Sequence, residues 1–351
     1  MEKMGEMPAV ASRRRIWIAS VGGVLGGVLY GALLYVLMRL HWLPEGFVSV
    51  TGIFGSPLVT GAVCVGLSSP AQRSSMAYRC MAPWLSIAMH YAVFALIQWE
   101  TVICLIMLAP VTLALSSCGG LLAGWIADRL RARRHLRQGM VGCFALLPLA
   151  VGLGESAVPV PELVHTVSNR IVISAPPAAV WQGLLNVPDI RREELSWSFS
   201  HAIGLPRPRA AGLSGTGVGA VRDLYWDDGI HFREYVTAWE PSQRLGYRVD
   251  VSPAREALRR LDTHVVIGDH YFDLLRGEYV LRDLGDGRTE LSLSSTYRMR
   301  TMVNTYGRWW ADRTLDDFHT VVLRLLKQRI ETGEQGGAIT AGLGFRRPGK
   351  D

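Results

Sequence analysis

The chain has 351 residues and a formal net charge of +7, and that charge is unevenly distributed. Residues 1–158 contain 12 Lys/Arg against 6 Asp/Glu, whereas the remaining residues contain 25 against 24. Nucleic-acid binding needs a basic face on a folded domain, and the nearly neutral C-terminal part does not supply one. The five cysteines all lie in or beside apolar segments of the first part, so the second part has neither a disulfide framework nor a cysteine metal site.

Residues 1–158 are predicted to form an α-helical membrane bundle, because long apolar runs of about 20 residues are typical of membrane-spanning helices. The runs predict about five spans, at residues 16–38, 48–68, 81–98, 101–124 and 139–154. The third and fourth are separated only by the turn "QWE", and the fifth is short for a span.

The loops between these runs predict an orientation. Basic residues occur in "SRRR" (12–15), at Arg73 and Arg79, and in "RLRARRHLR" (129–137), whereas "HWLPEG" and "QWE" contain no Lys or Arg. By the positive-inside rule, the N-terminus is cytoplasmic and everything after the fifth span is extracytoplasmic. We therefore predict a multi-pass protein of a bacterial inner (plasma) membrane. The first apolar run is too long for a cleaved signal peptide.

Glycines recur at helical spacing in two of the predicted spans. Gly23, Gly27 and Gly31 follow one another at four-residue intervals, and Gly120 and Gly124 repeat the spacing in the fourth span. Such a stripe lets another helix approach closely. Packing within the bundle is favoured, and homodimerisation through the stripe is left open.

Residues after about 160 show strand patterns. "RIVIS" is followed by two prolines and a short apolar helix face at Val180, Trp181, Leu184 and Leu185. A hairpin follows, in which residues 216–226 and 230–239 flank "DDG". This register pairs Leu224 with Phe232, Ala220 with Val236 and, on the same otherwise apolar face, Arg222 with Glu234.

The rest of the chain predicts a sheet and one covering helix. Residues 245–251 alternate apolar and polar side chains, and a further hairpin around "GDG" (285–287) places Arg282 opposite Glu290 on its polar face. Residues 305–331 have apolar side chains at helical spacing. A sheet with one apolar face needs cover, and this helix supplies it, which predicts an α+β domain.

The stretches "VISAPPAAVWQGLLNV" and "FREYVTAWEPSQRLGYRV", together with the terminal helix, resemble the helix-grip (SRPBCC) superfamily of START lipid-transfer domains and polyketide cyclases/dehydrases. The resemblance covers about residues 160–332 and implies an antiparallel sheet wrapped around the C-terminal helix, with an apolar cavity between them. We assign residues 159–335 to this domain, fused to a multi-span bacterial membrane region, and residues 336–351 to a flexible tail.

Eight side chains are candidates for ligand binding in such a cavity. They are Arg222, Glu234, Trp226, Phe232, Tyr247, Tyr279, Tyr297 and Phe318. The Arg222–Glu234 pair either holds the polar end of a ligand or only sets the strand register. No hydrolase or phosphate-binding motif is present, and no Ser or Cys has a recognisable base partner.

No metal ligand, cofactor or catalytic residue is predicted. The polar cluster of His264, Asp269, His270 and Asp273 fits no metal motif.

Three functions are consistent with these patterns. The first is a membrane-anchored binding protein for a lipid or other hydrophobic small molecule, with membrane lipids and that ligand as partners and no nucleic acid. The second is an enzyme of the polyketide cyclase/dehydrase type acting on a hydrophobic substrate. The third is an assembly or sensory membrane protein without a ligand. An inward catalytic acid–base pair together with an open cavity favours the second function, and a filled core favours the third.

Overall fold

The computed structural model describes residues 7–40, 49–130, 134–155, 157–261 and 266–333. The chain divides into two compact units, Met1–Val160 with Thr301–Val303, and Pro161–Arg300 with Asn304–Asp351. The predicted tail, the loop "HWLPEG" and His264 lie outside the described residues.

The described part of the first unit is mostly helical, and every predicted span overlaps a helix. A π-helical turn, Thr51–Gly55, leads into the second helix. The helices are α1 (Met7–Arg39), α2 (Ser56–Gly66), α3 (Pro70–Arg73), α4 (Met76–Leu96), α5 (Val102–Arg129) and α6 (Arg134–Glu155).

Only two helices of the described residues are long and apolar enough to cross a membrane, so the prediction of about five spans is wrong on this criterion. These are α1, over Val21–Met38, and α5. The turn and α2 together have 16 residues, about 24 Å at 1.5 Å per residue against a hydrocarbon core of about 30 Å. The apolar part of α6, Gly142–Glu155, is shorter still.

The glycine stripe of α1 faces other helices of the same chain. A Cβ added to Gly27 would lie 2.8 Å from the Ser86 hydroxyl, and one added to Gly31 would overlap the His90 ring. Ser86 and His90 both belong to α4, so the stripe lets α1 pack closely on α4. Homodimerisation stays a prediction.

The second unit is a seven-stranded antiparallel sheet with a long C-terminal helix, as in the helix-grip fold. The strand order is β1-β7-β6-β5-β4-β3-β2. Its elements are β1 (Glu162–Ile173), α7 (Pro177–Leu185), α8 (Phe199–Ala202), β2 (Pro208–Ser214), β3 (Val221–Trp226), β4 (His231–Glu240), β5 (Arg244–Asp250), α9 (Arg255–Leu261), β6 (Phe272–Asp283), β7 (Thr289–Arg300) and α10 (Asn304–Thr332).

Both predicted hairpins have the predicted register. Arg222 pairs with Glu234 and Leu224 with Phe232 across β3 and β4, and Arg282 pairs with Glu290 across β6 and β7. The turn at "DDG" can form because Gly229 adopts φ 71°, a left-handed backbone conformation that carries little free-energy cost for glycine. Since side chains alternate between the two faces of a strand, the register fixes which of them face α10.

Some elements of this unit were not predicted. Residues 208–214, to which no strand was assigned from the sequence, form the edge strand β2, with Pro208 at its first position, where a strand tolerates proline. The short helices α8 and α9 were also missed. Two alanines in "PRAAG" give β2 no strong strand signal, and the pairing with β3 outweighs that weak preference.

The core of this unit lies between the inner face of the sheet and α10. Leu245, Leu291 and Leu293 from the sheet are almost fully buried, as are Leu323 and Leu326 from α10. The predicted apolar face of α7 is confirmed: Val180, Trp181, Leu184 and Leu185 are all buried. The sheet and the two helices thus enclose one continuous apolar core.

Candidate functional site

A cavity of about 210 Å³ opens within the core of the second unit. Its walls come from the inner face of β2–β7, from residues next to α8, and from α10. Apolar side chains such as Leu224, Ile230, Val249 and Leu325 make up most of the lining. Seven of the eight predicted ligand-binding residues line it: Arg222, Trp226, Phe232, Glu234, Tyr247, Tyr279 and Phe318.

The Arg222–Glu234 pair lies in the wall of this cavity. Arg222 Nη1 donates to Glu234 Oε2 at 3.0 Å, and Nη2 donates to the carbonyl of Leu184 at 3.1 Å. Only 5% and 8% of the two side chains are exposed. The guanidinium carbon also lies 5.8 Å from the centre of the Tyr279 ring. The pair is therefore a desolvated ion pair inside an apolar core.

Burial changes the titration of the groups around this pair. Loss of water raises the pKa of the Glu234 carboxyl, and the positive charge of Arg222 opposes that rise. Burial also raises the pKa values of the Tyr247 and Tyr279 hydroxyls. Arginine stays protonated in proteins, so Arg222 is a permanent cation and the tyrosines are neutral donors.

Three buried polar atoms, each on a residue that lines the cavity, make no hydrogen bond within the described part of the chain. They are Arg222 Nε, Trp226 Nε1 and the Ser200 hydroxyl. A buried donor without a partner is costly, on the order of 1–3 kcal/mol, and a bound acceptor removes that cost. The cavity is therefore mostly apolar, with a few donors that a ligand can satisfy.

Tyr297 is the one predicted site residue that does not line the cavity. It is fully buried, its hydroxyl donates to Asp312 Oδ1 at 2.7 Å, and its ring lies 5.3 Å from that of Phe272. Strand alternation correctly placed Tyr297 on the inner face. It lies near the end of β7, however, where the start of α10 covers the sheet.

Some lining residues were missed because they lie in irregular or short segments. Ser200 and His201 come from α8, a single turn, and Leu205 and Pro206 follow it. This stretch has no apolar periodicity, so nothing in its sequence indicates which side chains turn inward. The pKa of His201 is lowered, first by burial and then by the positive charge of Arg207. The negative charges of Asp317 and Asp227 oppose this shift but do not cancel it.

The structure places one serine in contact with a histidine, a pairing that was not predicted from the sequence. The Ser295 hydroxyl on β7 lies 2.8 Å from His319 Nε2 on α10, and Ser295 also lines the cavity. His319 Nδ1 lies 2.9 Å from Asn169 Oδ1 on β1. No short motif contains these residues, since the fold brings them together from three elements.

Among the described residues, no group of three or more His, Cys, Asp or Glu is arranged to hold a metal ion.

No protein-family model matches the chain, and the search of curated proteins gives no match. Solved structures are similar to about half of it. The Zhui aromatase/cyclase from Streptomyces sp. R1128 is 16% identical, with 50% of this chain and 99% of that one covered and a TM-score of 0.32. A norcoclaurine synthase point mutant from Thalictrum flavum is 10% identical over 50% and 98%, also with a TM-score of 0.32. A protein from Nitrosospira multiformis is 23% identical over 44% and 94%, with a TM-score of 0.26. Likenesses this distant carry no information on ligand or chemistry.

Proposed function

We propose that the chain is a membrane-anchored binding protein for a lipid or another hydrophobic small molecule, which it holds between the sheet and α10. One observation carries the proposal: an apolar cavity of about 210 Å³ opens in the core, and two residues of its wall, Arg222 and Trp226, have buried N–H groups without a partner among the described residues. A filled core would suit an assembly or sensory role, and an open cavity of this kind supports binding instead.

The lining indicates the chemistry of the ligand. Most of the wall is apolar, so burying the body of an apolar molecule contributes about 25 cal/mol per Å². Arg222 Nε and Trp226 Nε1 favour a ligand with an acceptor oxygen, such as a carbonyl or a carboxylate. The volume is below the roughly 300–1,000 Å³ typical of drug-sized ligands. We therefore propose a compact or single-chain amphiphile.

The location in the membrane belongs to the same proposal. The two helices α1 and α5 meet the length and composition criterion for spanning, and we propose that they help anchor the chain in a bacterial inner membrane. The basic segment before the first span supports a cytoplasmic N-terminus. Crossings by α1 and α5 alone would return the chain to the cytoplasm, so the extracytoplasmic location that we propose for the helix-grip domain requires one further crossing.

Native mass spectrometry of the full chain, released from detergent micelles, tests ligand binding. We expect a population heavier than the polypeptide, from which one apolar molecule dissociates on activation, with lipid analysis identifying it. An Arg222→Met variant is expected to lose this population, whereas Arg282→Met, on the opposite face of the sheet, is expected to keep it. Wild-type protein that carries no ligand and takes up none from a bacterial lipid extract would contradict the proposal.

A reporter fused after Asp351 tests the topology separately. A reporter that is active only in the cytoplasm is expected to be silent there, and the same reporter fused at the N-terminus is expected to be active. A strong signal from the C-terminal fusion would show an even number of crossings and a cytoplasmic domain.

A further inference from the structure

A row of polar side chains crosses the otherwise apolar core of the second unit. Ser295 on β7, His319 on α10 and Asn169 on β1 are joined by contacts of 2.8 and 2.9 Å. His319 is fully buried, and Ser295 is 7% exposed. The residues are far apart in the sequence, so only the packing of α10 against β1 and β7 creates the row.

The outer end of the row sets the direction of its hydrogen bonds. Asn169 Nδ2 donates to Asp316 Oδ1 at 2.5 Å, because a carboxylate can only accept. The amide oxygen of Asn169 therefore faces His319 Nδ1, which must carry the proton and donate it. His319 Nε2 is then the unprotonated nitrogen and accepts the Ser295 hydroxyl proton.

The histidine is neutral at physiological pH. Loss of water lowers the pKa of His319 to about 4, although the charge of Asp316 opposes this shift. A neutral imidazole with its lone pair directed at a hydroxyl is the arrangement that a general base requires. Asn169 holds the ring in one tautomer, as the third member of a nucleophile–base–orienter set does.

Ser295 lines the cavity in which we propose that the substrate binds. It is paired across the sheet with Gly277, and the ring of Tyr247 occupies the space that a side chain at position 277 would fill. The small glycine thus brings the aromatic wall of the cavity over the strand next to Ser295.

We propose that Ser295 is a catalytic nucleophile for acyl transfer, activated by His319, with Asn169 as the positioning residue and an apolar ester as substrate. This activity goes beyond ligand binding. The reaction uses the same cavity as the proposed binding function, but its ester substrate need not be a lipid.

The reaction has two steps. Ser295 Oγ forms a bond to the ester carbonyl carbon as its proton passes to His319 Nε2. The ester C–O bond then breaks, and the alcohol leaves with that proton. In the second step, His319 takes a proton from a water molecule, which attacks the acyl-serine carbonyl. The carboxylic acid is released, and the serine regains its proton. One ester and one water give one acid and one alcohol.

Covalent labelling of the full chain in detergent micelles tests the proposal directly. The probe is an alkyl fluorophosphonate: the serine oxygen attacks phosphorus, fluoride leaves, and His319 takes the proton. We expect one equivalent of label, located by peptide mass spectrometry at Ser295. Hydrolysis of p-nitrophenyl butyrate is expected to stop with the same stoichiometry.

Variants separate catalysis from folding. Ser295→Ala is expected to abolish labelling and hydrolysis, and His319→Gln to slow both by about 10²–10⁴-fold, the usual contribution of a general base. Asn169→Ala is expected to lower kcat more than it raises KM. Ser294→Ala, on the neighbouring outward-facing position of β7, is the matched control and should label like the wild type.

Two results would overturn the proposal. One is wild-type protein labelled at Ser295 no faster than the His319→Gln variant. The other is wild-type protein that gives no adduct at residue 295 although native mass spectrometry shows the cavity taking up an apolar molecule. Loss of lipid uptake with labelling intact would instead overturn only the proposed binding function.

Discussion

Two hairpins of the same sheet each place an arginine directly opposite a glutamate, and the sheet face on which each pair lies distinguishes them. Arg222 opposes Glu234 across β3 and β4, and Arg282 opposes Glu290 across β6 and β7. The first pair is buried beside the cavity, whereas Arg282 is exposed and Glu290 half-buried. The two registers match, but the inner pair is in direct contact at 3.0 Å, whereas the Glu290 carboxylate on the outer face lies 4.0 Å from Arg170 on β1.

The difference lies in the loss of water. An exposed cross-strand pair keeps most of its hydration and contributes roughly 0.2–1 kcal/mol. A buried pair loses that hydration, and its mutual attraction often does no more than offset the loss. The buried pair thus adds little net stability, yet removing one partner is costly. This asymmetry is what the following predictions test, from the largest expected effect to the smallest.

The largest effect is expected from Glu234→Leu. It leaves Arg222, which cannot release its proton, as an unpaired cation in the core. We expect a loss of about 3–5 kcal/mol in the free energy of opening of β3 and β4. Hydrogen exchange of the strand amides in the full chain measures it without assuming a single unfolding transition.

The matched control is Glu290→Leu on the outer face, which is expected to change the free energy of opening by less than about 0.5 kcal/mol. Equal effects of the two substitutions would show that the inner pair is hydrated, and the comparison between the two faces would fail.

The second prediction concerns acid, which acts on the neutral His319 rather than on the ion pair. Unfolded, this histidine titrates near 6.5, and burial lowers its folded pKa to about 4. Between these values the unfolded chain binds a proton that the folded chain does not. Stability is therefore fully present above pH 6.5 and is lost as pH falls toward 4, by about 3 kcal/mol at most.

Hydrogen exchange of β7 and α10 between pH 7 and 4, corrected for the intrinsic pH dependence of exchange, measures this loss. His319→Gln is expected to remove most of it. His201, whose pKa burial also lowers, remains in both proteins and so cancels from the comparison. An identical pH dependence in the variant would show that His319 is not a buried neutral base.

The third prediction concerns the inner face of β6, opposite to the face that carries Arg282. A Cβ added at Gly277 would overlap the Tyr247 ring, so Gly277→Ala overpacks the cavity wall. We expect it to cost about 1–3 kcal/mol in the free energy of opening of β5 and β6.

Gly246→Ala is the control for this substitution. Its new Cβ would lie 3.1 Å from that of Ala238, a contact relieved by a small shift, and the cost is expected to be smaller. Combining Gly277→Ala with Tyr247→Leu should restore part of the loss. No difference between the two single substitutions would mean that Tyr247 does not pack over Gly277.

The sequence predicted those parts of the site that follow from strand alternation. The hairpin at "DDG" has one register that keeps its inner face apolar except for a single pair of opposite charges, and that register placed Arg222, Glu234, Trp226 and Phe232 together. Tyr297 shows the limit of the argument, because alternation gives the face of a side chain but not its position along the strand relative to α10.

Contacts between distant elements could not be predicted from the sequence. Ser295 and His319 lie on two elements whose relative rotation depends on the whole core, and neither belongs to a local motif. The strand β2 and helix α8 have weak local preferences, so tertiary pairing decides their structure. Apolar composition likewise located the helices of the first unit correctly but overestimated how many are long enough to span a membrane.

The smallest change in stability is expected from the double variant Arg222→Met/Glu234→Leu. It removes both charges at once and leaves no unpaired ion, so most of the 3–5 kcal/mol lost in Glu234→Leu should return. The Leu184 carbonyl loses one donor, which leaves a residual cost of about 1 kcal/mol.

The same double variant distinguishes the two interpretations of the inner pair. If the pair orients a ligand, the stable double variant loses the copurified amphiphile in native mass spectrometry. If the pair only sets the register, the variant keeps the ligand. The corresponding double variant on the outer face, Arg282→Met/Glu290→Leu, should keep the ligand in either case. Loss of ligand from the outer variant as well would trace the defect to the sheet as a whole rather than to the charges in the cavity.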